Sequence, residues 1–163
     1  MNRRDVERET EGLRIVIGSD DAGLAYKVAI GADLAADERV ASVEDVGVSP
    51  DDPAAATYGS IGLRAAELVA AGRADRAVLV CGTGIGVAIA ANKVPGVRAT
   101  VAHDSYSVER SVLSNNCQVL ALGERVVGLQ LARRLVAEWI GYRFDPASPS
   151  STKVAVISAY EDR

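Results

Sequence analysis

The stretch from Ala77 to Lys93, AVLVCGTGIGVAIAANK, constrains this chain more than any other. It opens as an unbroken apolar run of the kind shown by a parallel strand buried on both faces. It breaks at a turn with glycine at alternate positions (Gly82, Gly84, Gly86) and resumes as an Ala-rich segment that favours helix. A strand that turns directly into a helix is half of a β-α unit. Its turn presents backbone amides and a helix N-terminus to negative charge. Cys81 closes the strand, at the carboxyl end where open α/β sheets bind their ligands. Spacing alone allows two readings of this thiol: a small inert core residue, or an acid/base or nucleophilic group beside an anion-stabilising turn. The third glycine falls one residue too early for the dinucleotide fingerprint, and no Lys-Ser or Lys-Thr pair follows. The turn is a phosphate cradle in character without matching a nucleotide one.

The remaining chain repeats the β-α pattern. Leu13–Ile17 reads as a short strand leading through Gly18, Ser19, Asp20, Asp21, Ala22 and Gly23 into a helix-like run, Leu24–Ala36. One of the two aspartates is expected to cap that helix. The other suits hydroxyl binding or proton transfer, because capping needs only one. Ala41–Val46 reads as a second strand, Ser49–Ala54 as a loop and Tyr58–Ala71 as a helix. Pro95 and Gly96 turn the chain into the strand Val97–Ala102, which ends at His103 and Asp104, with Ser105 placed to cap the following helix. His103 is the one histidine, and reads either as a surface residue or as a catalytic or hydroxyl-binding one. Leu113–Asn116 closes that helix, Cys117–Leu122 forms a fifth strand, and Val126–Trp139 is an amphipathic helix. A loop over Asp145–Ser151 precedes a tail helix running through Tyr160.

Five strand–helix units predict an α/β fold: a single-domain, Rossmann-like three-layer sandwich with a five-stranded parallel sheet, helices on both faces and a C-terminal tail helix. Such a fold is expected to gather Asp20–Asp21, Tyr58, Cys81–Gly86, His103–Asp104 and Asn115–Asn116 at one sheet edge. That mixture of carboxylates, amides, thiol and anion cradle suits a phosphorylated polyhydroxy compound better than a nucleotide.

Length and charge exclude other classes. A chain of 163 residues is one domain's worth, taken here as residues 13–163. Residues 1–12 are polar and charged; they read as a disordered extension and lack the apolar stretch of a signal peptide. A net charge of −4 argues against nucleic acid as a partner, and the apolar runs are too short to span a bilayer. Cys81 and Cys117 both sit in strand-like contexts, so no disulfide framework is expected and the compartment reads as the reducing cytoplasm. With one histidine and no Cys/His cluster at ligand spacing, neither a metal site nor a metal cofactor is expected.

The segment from Val80 to Gly86 followed by Ile89–Arg98 resembles the signature of the B-type ribose-5-phosphate isomerase / galactose-6-phosphate isomerase family. The likeness extends from about Arg14 to Glu161, and takes in the Gly18–Gly23 opening, Tyr58, Asn115 and the Leu122–Gly128 stretch. It implies a metal-free, cofactor-free aldose–ketose isomerase in which Cys81 is the general base, moving a proton between C1 and C2 through a cis-enediolate. Thr83 is expected to assist, with the amides of Gly82, Gly84, Ile85 and Gly86 holding the enediolate oxygen. The resemblance also implies a homodimer or tetramer with sites at the subunit interface. Asp20, Asp21, Tyr58, His103, Ser114 and Asn115 are then substrate-binding candidates, and Arg125 and Lys153 are candidate phosphate ligands.

The departures from the family pattern bear on the substrate. Ribose-5-phosphate isomerases of this type usually read Asp-His where this chain has Asp20 and Asp21, and carry a ring-opening histidine where it has Ser114. In place of two C-terminal phosphate-binding arginines, only Lys153 lies near the second position. A pentose phosphate is mainly a ring and needs an acid/base to open it. A tetrose 4-phosphate cannot close a furanose through its esterified O4 and needs none. Asp21 and the Leu113–Asn116 stretch also resemble the erythritol-catabolic branch of the family, which interconverts D-erythrulose 4-phosphate and D-erythrose 4-phosphate. That is the leading reading. The alternative enzyme is a ribose-5-phosphate isomerase of the pentose phosphate route, with His103 or a carboxylate opening the ring. A reading from another class is a non-catalytic sugar-phosphate-binding subunit, against which the intact Cys81–Gly84 segment stands.

Overall fold

A computed structural model describes residues 12–161. The expectation for the N-terminal extension, residues 1–12, lies outside the described residues apart from Gly12. In chain order the elements are β1 (Leu13–Ser19), α1 (Leu24–Ala35), β2 (Val40–Asp45), α2 (Tyr58–Ala70), β3 (Arg76–Cys81), α3 (Ile85–Ala91), β4 (Ala99–Val101), α4 (Ser105–Leu113), β5 (Val119–Gly123), α5 (Leu129–Trp139) and α6 (Ser151–Glu161). A single 3-10 turn, Asp21–Gly23, joins β1 to α1.

The strands pair in parallel in the order β2-β1-β3-β5-β4. Side-chain alternation sorts the core into two layers. Ile15, Ile17, Val78, Val80, Leu120 and Leu122 point to the face covered by α1, α4 and α5. Val16, Ala77, Leu79, Cys81, Val119 and Ala121 point to the face covered by α2 and α3. Both faces of β3 and β5 are therefore buried, and their continuous apolar sequence follows from that. On the second face the helices sit close because their contact residues are small. A Cβ placed on Gly62 of α2 would lie 2.7 Å from the Val87 carbonyl oxygen of α3.

Local chemistry sets the element ends. Thr57 caps α2 reciprocally with Ser60. At α4 the cap is Asp104, whose Oδ1 accepts from the Ser107 amide at 2.7 Å, and not Ser105 as the sequence suggested. Asp carries a stronger acceptor than Ser and stands one residue earlier, so the helix starts from it. The expected strand over 117–122 begins only at Val119, because Asn116 takes a left-handed φ of 48° and the Cys117 amide closes α4 on the Ser111 carbonyl. The amphipathic pattern from Val126 is spent first on a turn closed by the Val126 and Val127 amides on the Gly123 carbonyl; α5 starts at Leu129.

The sheet order places the site. From β1 the chain moves outward to β2, then returns across β1 to β3 and beyond. The direction reverses between β1 and β3, and a crevice opens outside their carboxyl ends at such a switch point.

Candidate active site

Cys81 lies at that crevice. Its side chain is 4% exposed, on the α2/α3 side of the sheet, and its Sγ accepts a hydrogen bond from the Gly84 amide at 3.1 Å. Gly84 has φ +80°, which folds the turn back onto the sulfur as α3 begins. The Ile85 amide donates to Thr83 Oγ1 at 3.3 Å. Two of the amides expected to face an oxyanion, those of Gly84 and Ile85, are thus engaged with the Cys81 and Thr83 side chains.

Three other strand ends close on this turn. At the end of β1, Asp20 is 8% exposed, and its Oδ1 is buried without a hydrogen-bond partner. Burial pushes the Asp20 carboxyl above its ordinary range and neighbouring Asp21 adds to this, while the Ala22 and Gly23 amides and Arg125 pull it down. Neither aspartate supplies a side-chain cap to the 3-10 turn or to α1, contrary to the sequence expectation; the α1 cap position is Gly23. Gly23 is where the chain passes closest to the sheet: a Cβ there would lie 2.5 Å from the Val80 carbonyl oxygen, so no side chain fits.

At the start of α2, Tyr58 lies across Gly86, where a Cβ would sit 2.6 Å from its Cδ2. With Asp20, Asp21, Pro53 and Ala56 it lines an open depression of about 380 Å³ beside the turn. From the end of β5, the Glu124 amide donates to the Cys81 carbonyl (2.9 Å) and the Arg125 amide to the Gly82 carbonyl (3.0 Å). The exposed Arg125 guanidinium stands over Gly82, its Nη1 3.1 Å from where a Cβ would be. From the end of β4, His103 accepts the Gly123 amide on Nε2 at 2.9 Å, and burial holds its imidazole below the ordinary histidine range.

Ser114 and Asn115 are not brought to this edge. The chain leaves the carboxyl end of β4 at His103, and α4 carries it back across the sheet, so residues 114–116 lie at the amino end of β4. There Arg98, the residue before β4, donates from Nε to the Asn115 and Asn116 carbonyls at 3.1 Å. Cys81 pairs with Gly123, at the far end of the five-residue β5, so the two groups are separated by about 13 Å along the strands alone. Expecting Asn115–Asn116 beside Cys81 ignored the return path of a crossover helix. Ser114 Oγ instead accepts from Arg110 Nη1 at 3.4 Å. Lys153 stands exposed in the first turn of α6, whose other end is tied to the β4 edge by Glu161 Oε2 accepting from the Gly96 amide.

The sequence reading missed Lys27. It is buried, and its Nζ donates to Asp45 Oδ2 at 2.7 Å and to the Val48 carbonyl at 2.5 Å, fixing the loop that leads to Tyr58. The signal was present: Lys27 interrupts the apolar stripe Leu24, Ile30, Leu34 at helical spacing, and a lysine there is buried with a partner. Gly123 was also missed, as only proximity to the Thr83 backbone distinguishes it.

Among the described residues, no group of three or more His, Cys, Asp or Glu is placed to hold a metal ion, and no helix is long and apolar enough to cross a membrane.

Fold and site together define a three-layer α/β enzyme equipped for proton transfer beside a backbone-lined anion cradle. The family model for ribose/galactose isomerases matches residues 15–157, and the chain belongs to that family. A curated relative, D-erythrulose-4-phosphate isomerase 2 of Mycolicibacterium smegmatis, is 64% identical over 149 residues, covering 91% of this chain and 97% of that protein. Ribose-5-phosphate isomerase B of Escherichia coli is 38% identical over 150 residues, covering 92% and 97%. Among solved structures, ribose-5-phosphate isomerase B of Clostridium thermocellum is 41% identical with a TM-score of 0.83, covering 92% of this chain and 98% of that one. The chain is accordingly an aldose–ketose isomerase of phosphorylated sugars.

Proposed function

We propose that this enzyme interconverts D-erythrulose 4-phosphate and D-erythrose 4-phosphate, with Cys81 as the general base. The observation that carries the proton-transfer reading is the buried Cys81 Sγ held by the Gly84 amide at the switch-point crevice. The thiolate takes the C1 proton of the ketose, or C2 proton of the aldose, and the electron pair moves onto the adjacent carbonyl oxygen as a cis-enediolate. Returning that proton to the other carbon, while the hydroxyl proton passes between O1 and O2 so that the former carbonyl oxygen becomes the hydroxyl, completes the isomerisation. The amides of the Gly82–Gly86 turn other than those of Gly84 and Ile85, together with the Thr83 hydroxyl as donor, neutralise the enediolate. Asp20, Asp21 and Tyr58 face the sugar hydroxyls, and Arg125 reaches the phosphate.

Ser114 supports the four-carbon substrate, since a hydroxyl cannot open a sugar ring as an imidazole does and a tetrose 4-phosphate presents no furanose ring to open. The Mycolicibacterium relative carries the same substrate in its name. The second reading, D-ribose 5-phosphate to D-ribulose 5-phosphate, is favoured by the Escherichia coli and Clostridium relatives. Ser114, Asn115 and Lys153 enter the site if the enzyme is a homodimer or tetramer. On its own chain the Ser114–Asn115 segment lies at the opposite sheet edge from Cys81, so a second subunit must bring it there. Two free cysteines suit a reducing, cytoplasmic setting.

The test is kcat/KM on D-erythrulose 4-phosphate and D-ribose 5-phosphate side by side, with Cys81→Ala alongside. A strong tetrose preference, abolished in Cys81→Ala with the fold intact, is expected. A preference for ribose 5-phosphate overturns the substrate assignment, and near-normal turnover by Cys81→Ala removes the proposed base. Binding of both sugar phosphates with turnover of neither leaves the non-catalytic-subunit reading.

A further inference from the structure

We propose that His103 is a positioning residue for Cys81: its neutral Nε2 holds the Gly123 amide, and through Gly123 it sets the Cys81–Thr83 turn. β4 is the edge strand, and its last ladder pair with β5 joins Val101 to Ala121. Two residues further on, β5 still has a backbone N–H at Gly123 but no strand beside it on the β4 side. His103 supplies the acceptor there, at 2.9 Å. A backbone amide offers only a proton, so this Nε2 must carry a lone pair and the ring must be the neutral Nδ1–H tautomer.

The amide so held is the one against which the reactive turn rests. A Cβ on Gly123 would lie 2.7 Å from Thr83 C and Cα and 2.8 Å from the Thr83 oxygen, so the two backbones are in direct contact. Gly123 is also the register partner of Cys81, and the next two amides, Glu124 and Arg125, donate to the Cys81 and Gly82 carbonyls. The path from the imidazole to the turn that places Sγ is therefore one hydrogen bond and one backbone contact. With Nε2 engaged by a backbone amide, His103 does not have that nitrogen free to open a sugar ring or to bind a hydroxyl. A misplacement of about 1 Å in a reacting group costs up to about a hundredfold in rate, so removing the acceptor acts on turnover more than on substrate binding.

The inference rests on Cys81 as the reactive thiol, and the experiment separates the two. His103→Ala, His103→Asn and His103→Gln are compared with wild type. Glutamine places a carbonyl oxygen near the Nε2 position and cannot transfer a proton, while asparagine is too short to reach it. Two readouts are taken: kcat and KM on D-erythrulose 4-phosphate, and the rate of iodoacetamide alkylation of the Cys81 peptide followed by mass spectrometry, which needs no substrate. His103→Ala and His103→Asn are expected to lower kcat about tenfold or more with KM little changed, and to alter Cys81 alkylation at least about threefold. His103→Gln is expected to restore both. A glutamine variant as impaired as the alanine one overturns the proposal, as does unchanged alkylation in the alanine variant. If His103→Ala does not fold, the glutamine–asparagine pair decides by the same criteria. Wild-type enzyme inactive on both sugars would refute the function proposed above, while the alkylation comparison would still test His103.

Discussion

Gly84→Ala probes the reactive turn through a single methyl group. Gly84 has φ +80°, and a Cβ there would lie 3.0 Å from Leu122 C, 3.1 Å from Leu122 N and 3.2 Å from Ala121 C. The left-handed conformation costs an L-residue about 1–2 kcal/mol, of which about 0.4–1 kcal/mol is offset by the stiffer unfolded chain. The contacts are with the backbone of a central strand, which cannot rotate aside, and add roughly 1–3 kcal/mol of overpacking. The sum is a loss of about 1–4 kcal/mol, or about 2–4 °C of Tm per kcal/mol for a chain of this size. Gly72→Ala is the control, with φ +68° and nothing within 4 Å of an added Cβ; it reports the dihedral cost alone. Urea titrations of both variants are expected to show Gly84→Ala the less stable by the overpacking amount. Its kcat should fall at least about tenfold, because the displaced amide is the donor to Cys81 Sγ. Equal midpoints for the two variants with wild-type kcat in Gly84→Ala would refute both the contact and the role of that amide.

Three further outcomes follow from the same geometry. Asp20→Asn should raise Tm at pH 7 while lowering kcat/KM. The folded state holds the Asp20 carboxyl above its unfolded value, so ionising it costs stability as pH rises through the raised value; the advantage of Asn should vanish on acidification below the ordinary aspartate range, and a Tm unchanged at pH 7 would show the carboxylate to be compensated. Gly86→Ala should leave stability within about 1 kcal/mol, since Ala favours the helix and half-exposed Tyr58 can swing away, but raise KM; an unchanged KM would remove Tyr58 from the site. His103 is held below the ordinary histidine range, so the stability it contributes is complete above about pH 6.5 and is lost as pH falls below that. Melts from pH 7.5 to 5 should therefore fall more steeply for wild type than for His103→Gln, and parallel curves would contradict the assignment.

The family resemblance reached the reaction class because its signature is contiguous. Cys81, the alternate glycines and the Ala-rich helix lie within one β-α unit, whose geometry is set over a few residues. The distant parts of the site were less legible. Asp20 and Cys81 meet only because β1 pairs with β3, and His103 meets Gly123 only because β4 ends two residues short of β5 at the sheet edge. Nothing in the sequence near His103 distinguishes an acceptor for a backbone amide from a ring-opening acid. Asn115–Asn116 were expected beside Cys81 of the same chain for a related reason: the sequence pattern marks α4 as a helix but not the distance it carries the chain before β5 begins.

By itself the sequence determined the order of strands and helices, the parallel sense of the sheet and the position of the thiol at a strand end. These depend on side-chain periodicity, on glycine and proline breaks and on the short reach of a β-α connection, all local properties. Only the tertiary structure decided the strand order, the burial of Asp20 and Lys27, the engagement of the Gly84 amide with sulfur and the tautomer of His103. Each of these depends on which backbone groups remain unpaired once the strands are assembled, and that is a property of neighbours far apart in the chain.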